Sequence, residues 1–378
     1  MRSVTHAEVQ RAASAARWLR WVSPALVVGV ILAGYLGLTL ARSGGDPLAF
    51  VRLGEGFVNG EPAGEPGYDG QFAYWMALDP RPAFAARHLD VPAYRYQRVL
   101  YPLLALVLSL GQPAALPWAL VGLNFAAQIG LTVLVERWLA AQAVSRWYAL
   151  SVGLWAGLVM SVRLDLSEPL CFLLIMLALH AHRRERLWQA AGWLALALLA
   201  KETALLFLIA LLAWAALNRR WHALATLSLA AAPFGVLQAL LMRWFGASGL
   251  ATGGYLATPL EPIPYMGLWR VATISLPAFL LLLAIFGPMI VLPSAWGILT
   301  ALRRLWARDF TPLVLALGAN AGFLALTPFS TFREPLGLIR LASGLVLATV
   351  LYGAQTRSRR VLNYSLLWLA ALALAVRE

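Results

Sequence analysis

The sequence predicts an all-α integral membrane protein with about eleven transmembrane helices. Apolar residues make up 61% of the chain and charged residues only 12%, against roughly 25% charged residues in an ordinary soluble domain. The apolar residues form long, almost uncharged runs at 22–40, 116–135, 222–242 and 271–300. A helical run of about 18 residues matches the hydrocarbon layer of a bilayer. These runs lack the polar face of a soluble core helix, so no soluble fold fits the sequence.

The spans are predicted from the apolar runs and the charged loops between them. The first run has a basic stretch before it but no small-residue cleavage site at 41–45, which predicts an uncleaved span rather than a signal peptide. The whole chain, 1–378, is interpreted as one membrane domain with a long first loop, 41–98, carrying short interfacial helices, and a second loop, 244–270. Ten further spans are expected at 116–136, 147–163, 166–181, 187–200, 203–217, 222–243, 271–300, 311–328, 336–354 and 361–376.

The positions of the arginines predict the orientation. With a cytoplasmic N-terminus, 1–21, the inner loops hold seventeen arginines against four acidic residues, which accounts for the net charge of +13. The remaining inner loops are 136–147, 182–187, 218–222, 301–310 and 355–360. This balance requires 97–110, which contains Pro102, to be a half-inserted helix on the outer face. An ordinary short span there stays the alternative, and it would reverse every later loop.

Polar residues collect in five clusters, all on the predicted outer face. Ionisable groups near lipid are costly and mark functional sites, so the clusters are expected to line one outward-facing cavity. Two residues have simpler alternative roles. Asp165 could serve merely as a helix cap. Lys201, the single lysine of the chain, could merely snorkel or pair with a neighbouring glutamate. The clusters are 68–80, 94–98, 163–169, 201–203 and 332–340.

Four of these motifs together resemble the GT-C class of polytopic glycosyltransferases. They are YDGQFAYWMALDP from Tyr68, RYQRVLYPLLA from Arg95, LDLSEPL from Leu164 and AKETALLF from Ala200, each beside the expected span. The likeness is greatest to bacterial members related to the PIG-V mannosyltransferases and to cell-surface glycopolymer proteins. It implies transfer of a sugar, with inversion, from a polyprenyl-phosphate donor to a glycan, lipid or protein acceptor of the cell envelope. It also implies a bacterial cytoplasmic (inner) membrane location.

The resemblance also assigns roles to residues. It implies an acidic residue in the first outer loop near the reacting sugar, and Asp69 occupies that position. Because phosphate leaves readily without an acid, one general base suffices, and Asp69 is the candidate. Candidates for the departing phosphate are Arg98, Lys201, Arg333 and Arg340. The other residues assigned to substrate binding are Tyr68, Gln71, Tyr96, Gln97, Asp165, Glu168 and Glu202.

The remaining expectations concern cofactors, partners and alternatives. Some members of the class show a paired acidic motif or a bound metal ion; no DxD pair occurs here, so no cofactor is certain and a divalent cation stays an alternative that no such motif supports. Anionic lipids are expected at the cytoplasmic face, and nucleic acid is not, because the arginines form no contiguous stripe. A lipid or solute transporter or flippase, and a non-catalytic envelope-assembly protein, stay open as alternative functions.

Overall fold

The computed structural model describes residues 22–58, 64–254 and 256–375. Within these ranges the chain is α-helical, with short 3-10 and π segments and no β-strand. Helices of seven residues or more are labelled α1 to α17 in chain order. They are α1 (Pro24–Arg42), α2 (Gly70–Leu78), α3 (Leu100–Leu108), α4 (Leu116–Ala141), α5 (Ala156–Arg163), α6 (Glu168–Arg183), α7 (Leu187–Ala200), α8 (Leu205–Leu217), α9 (Trp221–Ser228), α10 (Ala231–Phe245), α11 (Met266–Ile274), α12 (Leu276–Phe286), α13 (Leu292–Trp306), α14 (Pro312–Ala325), α15 (Pro335–Leu341), α16 (Ser343–Gln355) and α17 (Arg359–Ser365).

Five helical segments of the described chain are long and apolar enough to cross a membrane. Three shorter apolar helices accompany them, at Leu187–Ala200, Glu202–Leu217 and Pro312–Ala325. Large apolar side chains such as Val30, Leu281 and Leu299 are more than half exposed on the outer faces, which is stable in lipid but not in water. The protein is therefore an α-helical, multi-pass membrane protein. The five long segments are Pro24–Arg42, Pro113–Ala141, Trp221–Phe245, Leu276–Trp306 and Pro335–Gln355.

Each predicted span is helical in the structure, but several are interrupted. The expected span 147–163 breaks at Leu154 and Trp155, between the short helix Leu150–Gly153 and α5. The expected span 271–300 is also wrong in detail: a first helix, α11, ends at Ile274, Ser275 interrupts the helix, and the long segment then runs from Leu276 to Trp306. Because α10 reaches Phe245 and α11 begins at Met266, the second loop is shorter than 244–270.

Buried polar side chains satisfy the backbone where the helices break. The Gln128 amide of α4 donates to the carbonyl oxygen of Gly153 at 2.8 Å, and the Trp155 indole donates to that of Ile339 at 3.0 Å. At the π segment Gly287–Val291 the Trp368 indole donates to the carbonyl oxygen of Met289 at 2.8 Å. In a low-dielectric interior a freed backbone carbonyl needs such a partner, so these breaks are built into the sequence.

The antiparallel helices give the bundle two distinct ends. One end holds the arginine-rich turns, and we call it the arginine end. Three hydrogen bonds join its turns: from Arg146 to the Val22 carbonyl, from Asn218 to the Phe310 carbonyl and from Arg357 to the Gln142 carbonyl. The turns of the arginine end are 142–149, 184–186, 218–220, 307–311 and 356–358.

The opposite end, which we call the site end, holds the first loop and the turns 164–167, 201–204 and 326–334. The described part of the first loop contains short helices, as expected for 41–98, including Leu48–Val51 and Pro92–Tyr96. The predicted cytoplasmic N-terminus, 1–21, lies outside the described residues. The end of the predicted last span, at 376, does so as well.

The proposed half-inserted helix is a short element at the site end. It corresponds to α3, whose 9 residues span only about 14 Å, well short of the hydrocarbon layer of about 30 Å. It lies beside the first turns of α4, because the Tyr101 hydroxyl donates to the Leu120 carbonyl at 2.9 Å and accepts from the Asn124 amide at 2.8 Å. The following helix α4 extends to the arginine end.

Candidate functional site

Asp69 is brought to the site end by the close packing of two chain segments. It precedes α2, whose first residue, Gly70, contacts the backbone of the turn between α5 and α6. A β-carbon at position 70 would lie 2.0 Å from the carbonyl oxygen of Leu164 and 3.4 Å from the β-carbon of Asp165. Only glycine permits this approach. The Asp-Gly pair and the LDLSE segment, which are about 95 positions apart in the sequence, therefore fit together at one glycine.

The Asp69 carboxylate lies between two arginines. Its Oδ1 is 3.1 Å from a guanidinium nitrogen of Arg95, and its Oδ2 is 3.2 Å from one of Arg340. Burial acts to raise the pKa of Asp69, but the charges of Arg95, Arg340 and Arg98 outweigh it and hold the pKa well below its usual range. Its side chain keeps 27% exposure, so the carboxylate is ionised and still accessible to a ligand.

Arg340 joins two acidic residues from distant parts of the chain. Its Nε donates to Oε1 of Glu168 at 2.7 Å, while its Nη1 faces Asp69 and the Tyr68 hydroxyl. The same Glu168 oxygen accepts from Lys201 at 2.7 Å. Glu168 is 1% exposed and Lys201 6%, so this three-way pairing is removed from solvent. The Lys–Glu pair that the sequence left open as an alternative is present, and it lies within the cluster.

A second ion pair closes the other side of the cluster. Arg98 donates from Nε and Nη2 to both oxygens of Glu202, at 2.9 and 2.6 Å, which is the strong bidentate geometry. Its Nη2 also donates to the Tyr94 hydroxyl at 2.7 Å. Arg95, in turn, is held by Asp90 at 2.7 and 2.8 Å. The orientation of each cation is therefore fixed before any ligand arrives.

These side chains line one small cavity at the site end. The cavity measures about 30 Å³, which is room for about two water molecules. Asp69, Asp165 and Glu168 line it together with Arg95, Arg98 and Arg340, and apolar side chains of α2 complete the wall. A whole sugar does not fit, so the cavity can receive only one small group of a larger ligand.

Asp165 differs from the other acids of the cavity. It is fully buried, and neither of its carboxyl oxygens has a hydrogen-bond partner among the described residues. The neighbouring Tyr101 hydroxyl gives its single proton to the Leu120 carbonyl. Burial raises the pKa of Asp165 well above its usual range, against the lowering effects of the Arg163 charge and of the Tyr101 hydroxyl beside it. Asp165 has a positive φ of 52°, an unusual conformation for a residue other than glycine.

The structure brings together most of the residues predicted for the site. Tyr68 lies at the edge of the cluster, where it donates to Glu334 at 2.9 Å and accepts from Arg340 at 3.0 Å. Burial raises the pKa of the Tyr68 hydroxyl, so this group stays protonated. The predicted residues in the cluster are Tyr68, Asp69, Arg98, Asp165, Glu168, Lys201, Glu202 and Arg340.

Four residues assigned to substrate binding do not line the cavity. The Gln71 amide accepts from the Gly54 backbone and donates to the Pro66 carbonyl, so it ties two parts of the first loop together. Tyr96 donates to the Pro80 carbonyl and packs on Trp244 and Phe245.

Gln97 is buried and accepts from the Gln238 amide at 3.3 Å. The Arg333 guanidinium lies 5.4 Å from the centre of the Phe329 ring and is not among the residues around Asp69. Local sequence position placed all four near the site, but their side chains point to structural partners instead.

Arg95 contacts Asp69 directly, but it was not among the residues predicted for the site. It lies in the same short stretch as Arg98, and it is the fifth residue after Asp90, its other partner. The spacing between Asp90 and Arg95 could have indicated that the two residues pair. Tyr101 was not predicted either, because an apolar helix surrounds it in the sequence and only the tertiary structure places this residue at the cavity.

The acidic residues of the cavity do not suit a divalent metal ion. Asp69 and Glu168 each contact two cationic side chains, which would repel a metal. Among the described residues, no group of three or more His, Cys, Asp or Glu side chains has the geometry to hold one. The arrangement instead suits a ligand with negative charge next to hydroxyl groups.

Comparison of the chain with protein-family models, with curated proteins and with solved structures finds no match in any of the three.

Proposed function

We propose that the protein is an inverting membrane glycosyltransferase of the GT-C type, which transfers a sugar from a polyprenyl-phosphate donor to a cell-envelope acceptor. One observation carries the proposal: the accessible, ionised carboxylate of Asp69 lies between two arginines at a cavity where apolar helices end. A lipid-linked phosphate sugar combines an anion, hydroxyl groups and an apolar tail. The cations match the anion, the cavity can receive a hydroxyl group, and the lipid-exposed helices match the apolar tail.

The proposed reaction is a single displacement at the anomeric carbon. The acceptor hydroxyl oxygen forms a bond to that carbon, the carbon–oxygen bond to phosphate breaks, and the lipid phosphate leaves with the bonding electrons. Asp69 takes the hydroxyl proton as general base. Attack from the face opposite the phosphate inverts the configuration. The cationic side chains around the cavity stabilise the charge that grows on the phosphate.

Donor binding would also make Asp69 a stronger base. A carboxylate in contact with Arg95 and Arg340 holds a proton poorly. The phosphodiester of the donor carries one negative charge and competes for the same guanidinium groups, so each arginine that also contacts it stabilises the Asp69 anion less. The basicity of Asp69 would therefore rise only when the donor is present, which limits proton transfer to the loaded site.

We further propose the orientation in the membrane, in which the site end is extracytoplasmic and the arginine end cytoplasmic. In support, arginines such as Arg184 and Arg220 lie in exposed turns at the arginine end, as the positive-inside rule requires. In this arrangement the chain has eleven spans in a bacterial cytoplasmic membrane, α3 is half-inserted and the N-terminus lies on the cytoplasmic side. A reporter fused after Gly60 should then report the outer compartment and one after Arg184 the cytoplasm.

The test of the proposed activity is transfer from radiolabelled polyprenyl-phosphate sugars in isolated membranes. Asp69→Asn should lower the rate by about 10²- to 10⁴-fold at normal expression. Asp79→Asn is the matched control, because Asp79 lies in the same loop but pairs only with Arg81, outside the cavity. A rate for Asp69→Asn equal to that of the control would exclude catalysis by Asp69 and favour a non-catalytic role in envelope assembly.

A transporter would need a polar path between the two ends. The buried side chains Asn124, Gln128 and Thr132 do follow one another along α4. However, the Asn124 amide donates to the Leu166 carbonyl and the Gln128 amide to the Gly153 carbonyl, both freed where helices break. These side chains therefore support the broken helices and need not line a polar path. The site accordingly favours a transferase over a transporter.

A further inference from the structure

The inner part of the cavity, around Asp165, is chemically different from the part around Asp69. Asp69, Glu168 and Glu202 each form a salt bridge with at least one cation. Asp165 has no hydrogen-bond partner among the described residues, although it is fully buried and lines the same cavity. An unsatisfied buried polar group destabilises the folded protein, so a side chain of this kind calls for a partner from outside the chain.

Two properties restrict what that partner can be. The cavity of about 30 Å³ admits a group of only one or two non-hydrogen atoms, since each water needs about 10–15 Å³. The cations of the cavity face Asp69, Glu168 and Glu202 rather than Asp165. A phosphate would therefore be held by the cations, and the group that reaches Asp165 is small and neutral.

We propose that Asp165 forms a subsite for one hydroxyl or hydroxymethyl group of the transferred sugar, and that it determines which sugar the enzyme accepts. This inference rests on the proposed function and deepens it. A carboxylic acid has one donor and one acceptor, and a hydroxyl group has the same pair, so the two satisfy each other. A sugar lacking that hydroxyl would leave Asp165 buried without a partner.

The raised pKa of Asp165 agrees with this role. A neutral carboxyl group enters a buried subsite at lower cost than a carboxylate, and it does not compete with Asp69 for the arginines. The backbone at Asp165 has a positive φ, and the segment is held in place by the contact of Gly70 with Leu164. The carboxyl is thus fixed in position before the substrate binds.

The test compares Asp165→Leu and Asp165→Asn with the parent. The probes are polyprenyl-phosphate hexoses and the single-deoxy form of each at every hydroxyl position. In the parent, one deoxy position should lower kcat/KM about 10- to 100-fold, and the others much less. Asp165→Leu should lose this discrimination at that position alone. Asp165→Asn, which keeps a donor and an acceptor, should retain most of it, which separates the lost hydrogen bond from misfolding.

A second measurement does not depend on turnover. Donor binding stabilises the folded protein in detergent by mass action, so the parent should melt at a higher temperature with the full donor than with the discriminated deoxy donor. Asp165→Leu should show equal shifts with both. If the variants keep the discrimination of the parent, the subsite is overturned while the transferase stands. If the parent neither binds nor transfers any donor, the proposed function fails and the subsite fails with it.

Discussion

Arg304 at the arginine end and Arg340 at the site end are both arginines of apolar helices, yet their surroundings differ. Arg304 is 3.5 Å from Asp309, and both side chains are well exposed, at 46% and 31%. Arg340 is 2.7 Å from Glu168, and their side chains are 8% and 1% exposed. Exposed pairs contribute about 0–1 kcal/mol, whereas removing one partner of a buried pair costs about 3–5 kcal/mol.

The difference shows what each end requires of its charges. Arginines in exposed turns stay hydrated and need no acidic partner, and in the proposed orientation they face the anionic lipids of the cytoplasmic leaflet. In the cluster around Asp69 the cations Arg95, Lys201 and Arg340 are buried, although a well-packed apolar replacement of a buried ion pair is often neutral or stabilising. Folding alone therefore gives no reason to keep Arg340, Glu168 and Lys201 together. We infer that the cluster is kept for its chemistry, and five substitutions test this contrast.

The largest effect is expected for Arg340→Met, because it leaves Asp69 and Glu168 without a shared cation. The variant should lose about 3–5 kcal/mol of stability, seen as a lower unfolding temperature in detergent, together with all transfer activity. Arg333→Met, seven residues away, is the control, because the Arg333 guanidinium lies over Phe329 and contacts neither acid. Equal unfolding temperatures of the two variants would contradict the claim that the buried ion pairs of Arg340 stabilise the protein.

The next effect is a pH dependence of stability that Asp165 and Asp69 produce with opposite signs. The pKa of Asp165 is raised in the folded protein, so stability falls as the pH rises above the unfolded value of about 3.9. The slope for one proton is about 1.4 kcal/mol per pH unit. Asp165→Asn should therefore melt at the same temperature as the parent in acid and at a higher one at pH 7.

Asp69→Asn is the counterpart in that measurement. The pKa of Asp69 is depressed, so its contribution is present above about pH 3.9 and is lost as the pH falls through the folded value. The Asn variant should therefore be less stable than the parent at neutral pH, and the difference should shrink in acid. Parallel pH profiles for both variants and the parent would show that neither carboxyl has a shifted pKa.

Gly70→Ala should have an intermediate effect by separating the two parts of the site. The new methyl group would meet the Leu164 carbonyl oxygen at 2.0 Å, and forced overpacking costs about 1–3 kcal/mol. Activity should fall further than stability, because Asp69 moves relative to Asp165. Gly122→Ala in α4 is the control, since nothing lies within 4 Å of its new methyl group. A Gly70 variant as active as the Gly122 variant would show that this contact does not position the site.

The sequence predicted the helices better than the site. Apolar runs located the five long apolar helical segments, because a membrane segment must be continuous and apolar. The breaks at Leu154 and Ser275 were not predicted, since they depend on partners such as Gln128 that lie far away in the chain. The number of spans and the orientation in the membrane stay predictions.

For the site, conspicuous charges in apolar surroundings were informative. Glu168 and Lys201 were selected for that reason, and both lie in the cluster. Residues chosen only because they flank a motif were less reliable, because adjacent side chains on a short helix point in different directions. Within the stretch 94–98, Arg95 and Arg98 line the cavity, whereas Tyr96 turns toward Trp244.

Gln71 illustrates that distinction and gives the smallest expected effect. It follows Asp69 by two residues, but its buried amide bridges Gly54 and Pro66 at 2.9 and 3.0 Å. Gln71→Ala leaves the Gly54 amide without its partner, which should cost about 1–2 kcal/mol and lower the unfolding temperature. The KM for the donor should stay that of the parent at a temperature where the variant is folded. A raised KM with an unchanged unfolding temperature would instead assign Gln71 to substrate binding.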